Sequence, residues 1–315
     1  MTPTRPERRE SLRHPRLVGA LVVAVAVLGA ILGAQMLAFH LATDPLTDFR
    51  VYYDAAARLN AGLPLYPPGA RIYPPLFEIA LRPLALLPFD IAAGIWVGIT
   101  LAALGLTLWR LGIRRPATWI AVGALSASIA WVLSIGQAEV IITLLLTLGS
   151  PMAVALAGNI KLFPLLAGIY WLACRDWRDF SRFVGWTGGL ALLQLVLDPS
   201  DTLAFPGTLT VVSTQVAEAG NHDLSPFALS PLLWAALVVA GVACAWRLGR
   251  TRWGWAAAVA LGVLASPHLF SYMLMSLLAC LRPQEGESRG RVRRISARPD
   301  ASAAPGRGEG RLDQA

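Results

Sequence analysis

Lysine is almost missing from this chain: Lys161 is the only one among 27 basic residues in a sequence of 315. Charge of either sign is scarce too, at 15 % of residues, well below the roughly 25 % of an ordinary soluble domain. Cysteine is limited to Cys174, Cys244 and Cys280. These lie near expected cytoplasmic helix ends without metal-ligand spacing, which argues against a disulfide framework or a zinc site. No phosphate-binding loop, dinucleotide fingerprint or zinc-protease motif occurs. What fills the sequence instead is apolar residues, 56 % of the total, gathered in long blocks.

The first block, Leu17 to Leu41, is free of Asp, Glu, Lys and Arg and exceeds the roughly 20 residues that cross about 30 Å of hydrocarbon. A cleaved signal would have a shorter core and a small-residue end, whereas this block ends at Phe39-His40-Leu41, so it reads as an uncleaved span. Further apolar blocks run Pro83 to Phe89, Ile91 to Trp109, Pro116 to Gln137, Val140 to Ile160, Leu162 to Cys174, Phe183 to Leu197, Leu224 to Trp246 and Trp253 to Leu281. The last suits one tilted helix or a tight pair hinged at Ser266-Pro267. The chain therefore reads as an all-α polytopic membrane protein with about 8–10 transmembrane or half-membrane helices.

Arginine gives the orientation. Arg5, Arg8, Arg9, Arg13 and Arg16 precede the first span, while Asp44 and Asp48 follow it. Residues 1–16 are then a cytoplasmic basic amino terminus, and the 42–82 loop lies outside. Arg110, Arg114 and Arg115, then Arg175, Arg178 and Arg182, then Arg247, Arg250 and Arg252 read as inside. The 198–228 segment, acidic over its first part, reads as a second external loop. Residues 17–281 form the transmembrane domain, and 282–315, rich in Arg, Gly, Pro, Ser and Glu, read as a disordered cytoplasmic tail. The net charge of +8 comes from helix ends and tails facing the bilayer, and is no sign of nucleic-acid binding.

Parity between Arg115 and Arg175 is informative. Full spans over Ala117–Ser134 and Gln137–Ser150 return the chain to the cytoplasm, and Pro151 to Ala173 must then leave and come back in too few residues for two crossings. A pair of half-helices or very short helices follows, broken at Gly158-Asn159-Ile160-Lys161 before Pro164.

In the first external loop, Phe49, Tyr52, Tyr53 and Ala56 recur at helical spacing, which predicts a short amphipathic helix with Asp48 near its amino end. A carboxylate there is either a general base or a helix cap. Tyr52, Tyr53, Tyr66 and Tyr73 fit an interfacial aromatic belt. Lys161, between two apolar blocks, is a buried cation that needs a partner: a lipid-linked phosphate supplies one, and snorkelling to headgroups is the plainer account. Gln137 and Glu139 sit at an outer junction, where they either bind a polar substrate or satisfy the turn. His268 follows Pro267 at the hinge, and Asn221-His222-Asp223 forms a small polar loop.

Asp48-Phe49-Arg50-Val51-Tyr52-Tyr53, Ala55-Ala56, Gly62, Tyr66, Tyr73-Pro74-Pro75-Leu76, Pro83 to Pro88, Trp96, Gly136-Gln137, Lys161, Pro164, Arg175 to Arg178, and Ser266-Pro267-His268 with Tyr272 follow one another in an order that resembles glycosyltransferase family 87. These are the polyprenol-phosphate-mannose-dependent alpha-1,2-mannosyltransferases. The resemblance implies the GT-C fold, a polyprenyl-phosphate-mannose donor, and a glycolipid or polysaccharide acceptor on the outer face of the bilayer. It implies Asp48 as catalytic base, and Lys161, His268, Gln137, Tyr52, Arg50 and Asn221 as substrate-binding, with no cofactor or metal required. A transporter or lipid flippase, suited to a broken helix, and a non-catalytic subunit of a cell-envelope assembly are the other classes that the residues leave open.

Overall fold

The computed structural model describes residues 15–66, 73–218 and 223–283, which but for Pro283 belong to one compact unit, Met1–Arg282. Among them the architecture is helical throughout. Helix α1 (Pro15–Thr43) has 29 residues, roughly 43 Å at 1.5 Å per residue. Leu21, Val23, Val27, Leu28 and Ile31 face outward from it, as a helix against lipid requires. Helix α2 (Thr47–Asn60) is the amphipathic helix expected in the first loop: Asp48, Phe49, Tyr52 and Ala56 make its buried face. A short α3 (Pro75–Leu81) begins on Pro75, whose missing N–H costs nothing at the first helical position.

Among the described residues, four helices are long and apolar enough to cross a membrane: α1, α4 (Phe89–Leu111), α10 (Trp177–Leu197) and α12 (Pro231–Leu248). Between them stand shorter pieces: α5 (Pro116–Ala124), α6 (Ser126–Ile135), α7 (Glu139–Leu148), α8 (Pro151–Ile160), a 3-10 segment Phe163–Gly168, and α9 (Ile169–Cys174). Later come α11 (Pro199–Glu218), α13 (Gly254–Leu264) and a second 3-10 segment, Ser271–Leu281. The long helices α1, α10 and α12 expose apolar side chains, whereas most residues of α7 and α13 and nearly half of Ser271–Leu281 are buried. Half-length helices thus fill the interior, where their broken backbone is surrounded by protein.

Three sequence expectations meet their test here. The break at Lys161 is present: α8 ends at Ile160, and Lys161 is extended at φ −142° and ψ 139°. The last apolar block is a pair of segments that separates around Ser266-Pro267. Neither of the full spans expected over Ala117–Ser134 and Gln137–Ser150 is a straight helix of membrane length, although the α5–α6 pair is long and apolar enough when taken together. The first is bent by 64° between α5 and α6, and α7 has 10 residues, about 15 Å, half the hydrocarbon thickness. The bend has a local cause. The Ser126 hydroxyl donates to Gly123 O at 2.9 Å and also to Gly29 O of α1, and a Cβ on Gly123 would meet Ala26 Cα at 2.7 Å. Close backbone approach and a hydroxyl bonded to carbonyls deflect the chain, and neither is visible in an apolar count.

The 198–228 segment, read as a loop, is largely helical. Asp198 accepts from Asp201 N at 3.1 Å and Pro199 opens α11, a capped start for a helix. Asp201 in turn accepts from Leu65 N at 3.1 and 3.2 Å, which ties α11 to the middle of the first loop.

Candidate functional site

The site begins with the turn that joins α6 to α7. Gly136 ends α6 in the left-handed region at φ 70°, and its carbonyl accepts from Trp96 Nε1 at 2.8 Å. That turn delivers Gln137, which is fully buried, to the buried face of α2. Gln137 Nε2 donates to Asp48 Oδ2 at 2.6 Å. Its Oε1 accepts from the Tyr52 hydroxyl and from Ala138 N at 2.9 Å. Tyr73 completes the group, its hydroxyl oxygen 3.2 Å from that of Tyr52 and 3.3 Å from Gln137 Nε2. Burial, with the neighbouring Tyr73 and the Asp48 charge, holds the Tyr52 hydroxyl well above the ordinary tyrosine range, so it stays a donor.

One residue further, the first turn of α7 carries Glu139. Its Oε2 lies 2.8 Å from Lys161 Nζ, and the two side chains are 5 % and 16 % exposed. Glu139 Oε1 accepts from Ser276 Oγ at 2.5 Å, and Thr143 stands 3.1 Å from Ser276. Lys161 Nζ also sits 4.9 Å from the centre of the Tyr272 ring. The lone lysine thus pairs with a glutamate from the same junction as Gln137, a partner that the sequence reading did not name. Glu139, Lys161, Pro164, Ser266 and Ser276 border a pocket with apolar walls from Ile142, Leu146 and Val263. Lys161 lies within electrostatic range of the Asp48 carboxylate, which links the two clusters.

His268 occupies the hinge between α13 and Ser271–Leu281. Its Nδ1 lies 2.9 Å from Asp223 Oδ2, and its ring packs edge to face with Phe227 at 6.1 Å. Arg50 goes elsewhere: it is exposed on α2 and stacks its guanidinium 3.9 Å over the Phe89 ring. Asn221 lies outside the described residues. Among those described, no three His, Cys, Asp or Glu side chains converge as metal ligands would, and all three cysteines are free thiols.

Sequence reasoning passed over Ser276 and the pairing roles of Glu139 and Asp223. Ser276 lies in an apolar block and gives no signal of its own. Glu139 and Lys161 both stand out in the sequence, but 22 residues separate them, and nothing in the spacing shows that a chain reversal brings them together. Glu78 gives no sequence signal either. It is 2 % exposed, one of its oxygens lacks a partner among the described residues, and burial pushes its carboxyl well above the usual range.

No solved structure matches the chain. A polyprenol-phosphate-mannose-dependent alpha-(1-2)-phosphatidylinositol pentamannoside mannosyltransferase from Mycolicibacterium smegmatis (strain ATCC 700084 / mc(2)155) is 34 % identical over 121 residues, covering 33 % of this chain and 30 % of the relative. The match thus spans less than a third of that relative's length. The sequence profile of glycosyltransferase family 87 matches residues 72–271. That range holds Gln137, Glu139, Lys161 and His268, and leaves Asp48 just before it. With most of its length matched, the chain belongs to glycosyltransferase family 87.

Proposed function

We propose that the protein is an inverting glycosyltransferase of GT-C type that moves a mannosyl residue from a polyprenyl phosphate to a hydroxyl of a glycolipid or cell-envelope polysaccharide, forming an alpha-1,2 linkage. The reaction takes place on the outer face of the membrane, opposite the arginine-rich amino terminus. The observation that carries the reading is the placement of the Asp48 carboxylate, fixed by Gln137 at 2.6 Å, within electrostatic reach of a lysine beside an apolar-walled pocket. A carboxylate base, and a cation that borders an apolar-walled pocket, are what transfer from a lipid phosphate demands. Membership of a glycosyltransferase family supports sugar transfer, and the printed activity of the partly matched relative favours mannose and a polyprenyl-phosphate donor in this reading.

The chemistry needs one displacement. The acceptor hydroxyl oxygen forms a bond to the anomeric carbon, the carbon–oxygen bond to phosphate breaks, and polyprenyl phosphate leaves with the bonding pair. Asp48 takes the hydroxyl proton. By taking the bonding pair the departing phosphate gains one further negative charge, which Lys161, with His268, stabilises. Attack from the face opposite the phosphate converts a beta donor linkage to alpha without a covalent sugar–protein intermediate. Gln137 and Tyr52, both fully buried, act on Asp48, while the pocket beside Lys161 takes the first part of the lipid.

The test is sugar transfer by wild-type protein and Asp48→Asn in lipid nanodiscs, with radiolabelled polyprenyl-phosphate-mannose and host glycolipid extract. Transfer by wild type and near-complete loss in a folded, donor-binding Asp48→Asn is expected. Equal transfer by both would remove Asp48 as base. Failure of wild type to bind the donor at all would remove the transferase reading.

A further inference from the structure

The chemistry above uses His268 and leaves its neighbour Asp223 without a task. The Asp223 carboxylate is held from three directions. Its Oδ1 accepts from Ser225 N at 2.8 Å and from Leu269 N at 2.9 Å, two backbone donors that only an acceptor can answer. Its Oδ2 faces Nδ1 of His268 at 2.9 Å. A carboxylate only accepts, so Nδ1 must carry the hydrogen. The surrounding backbone is clamped as well: Leu224 N donates to Leu269 O at 2.7 Å, and Asp223 pairs with Phe270 as an isolated antiparallel bridge. The dyad is largely enclosed, with His268 and Asp223 side chains 14 % and 12 % exposed.

One ring nitrogen is then left over. His268 Nε2 is buried and has no hydrogen-bond partner among the described residues. Leaving such an atom unanswered is unfavourable, and natural proteins do so rarely except where a ligand completes the set.

We propose that Asp223 is a positioning residue that fixes the His268 ring so that Nε2 meets the phosphate of a lipid-linked substrate. The proposal rests on the reading of the protein as a polyprenyl-phosphate-dependent transferase. Phosphate oxygens only accept, so in the complex Nε2 also carries a hydrogen, and the doubly protonated ring bridges Asp223 on one side and phosphate on the other.

The substitution Asp223→Asn separates positioning from folding. The two backbone N–H groups retain the Asn Oδ1, so the amide NH2 takes the place of Oδ2 and points a donor at His268 Nδ1. The ring must then hold its single hydrogen on Nε2, and the doubly protonated form faces a clash of donors. The clamp around the hinge stays satisfied, so the variant folds.

The experiment uses full-length protein with 15N-labelled histidine in lipid nanodiscs, and farnesyl phosphate as the probe. The His268 signals are identified by their loss in His268→Gln, and two-bond nitrogen–proton correlations report which ring nitrogens carry hydrogen. Farnesyl phosphate is expected to bring both nitrogens of His268 to the protonated form in wild type, with farnesol and inorganic phosphate at equal concentration leaving them unchanged. Asp223→Asn should show a bare Nδ1 and bind farnesyl phosphate roughly 10- to 100-fold more weakly, the loss of one charged hydrogen bond. A ring unmoved by saturating farnesyl phosphate overturns the proposal, as does an Asp223→Asn variant with wild-type ring state and affinity. An equal response to inorganic phosphate overturns the lipid-linked part, and an equal response to farnesol overturns the phosphate part. No step of the measurement needs sugar transfer. Protein that transfers mannose with a silent ring loses this inference alone, and protein that shows the ring response without transferring mannose keeps the phosphate site and loses the transferase.

Discussion

Gln137 reaches across 89 positions of sequence to donate to Asp48 at 2.6 Å, and the direction of every hydrogen bond behind it follows from that contact. Asp48 can only accept, so Nε2 of the amide faces it and Oε1 faces away, where Tyr52 must donate. Removing either donor loosens the carboxylate without touching substrate. Tyr52→Phe and Gln137→Leu should lower kcat roughly 10- to 100-fold, the worth of a hydrogen bond to a charged group, while donor affinity stays near wild type. Parallel transfer rates and farnesyl phosphate binding check this, and a loss confined to binding would place both residues on the substrate instead.

The Glu139–Lys161 pair separates stability from function. With Glu139 buried and hydrogen-bonded to Ser276, Lys161→Ala strands a carboxylate in the interior and should cost about 3–5 kcal/mol. Lys161→Met combined with Glu139→Gln removes both charges together, and should recover most of that stability in detergent denaturation while leaving lipid-phosphate binding lost. Recovery of binding as well would mean that the ammonium serves the fold alone.

The sequence showed what is written in composition and order, and missed what depends on chain reversal. Long apolar blocks located the four spans. The break at Lys161 stands where a parity count puts it, although that count assumes two full spans and α7, with 10 residues, is too short for one. Asp48, Gln137, Lys161 and His268 stood out as polar residues in apolar surroundings. Their partners did not. Ser276 and Asp223 acquire meaning only once helices pack, and the bend at Leu125 depends on a hydroxyl meeting a carbonyl of α1. Arg50 illustrates the reverse: its place in a motif suggested the site, yet its position on the helix turns it toward Phe89.

Glu78 predicts a pH dependence of stability. Burial raises its carboxyl well above the ordinary value of 4.5, so the folded protein holds a proton that the unfolded chain has released. The stabilisation is full below the unfolded value and is lost as pH rises through the folded one. Unfolding midpoints measured in detergent should therefore fall from about pH 4.5 upward, and Glu78→Gln, which cannot ionise, should flatten that slope. An identical slope in the variant would assign the pH dependence to other groups.

Gly136 is where backbone conformation and chemistry meet. Its φ of 70° suits glycine, and a Cβ there would stand 2.8 Å from Phe49 Cβ and 3.1 Å from a Leu46 side-chain carbon. Gly136→Ala thus adds left-handed strain of about 1–2 kcal/mol and a clash with the very turn of α2 that carries Asp48. Relief requires α2 and the 136–138 turn to separate, which lengthens the Gln137–Asp48 contact. Gly94→Ala is the control: Gly94 lies within α4, a Cβ there would meet nothing within 4 Å, and alanine should be neutral or add up to about 1 kcal/mol. Gly136→Ala should lose stability and an additional fraction of transfer rate in the surviving folded protein, and a folded variant with wild-type rate would show that Asp48 works without the geometry this turn imposes.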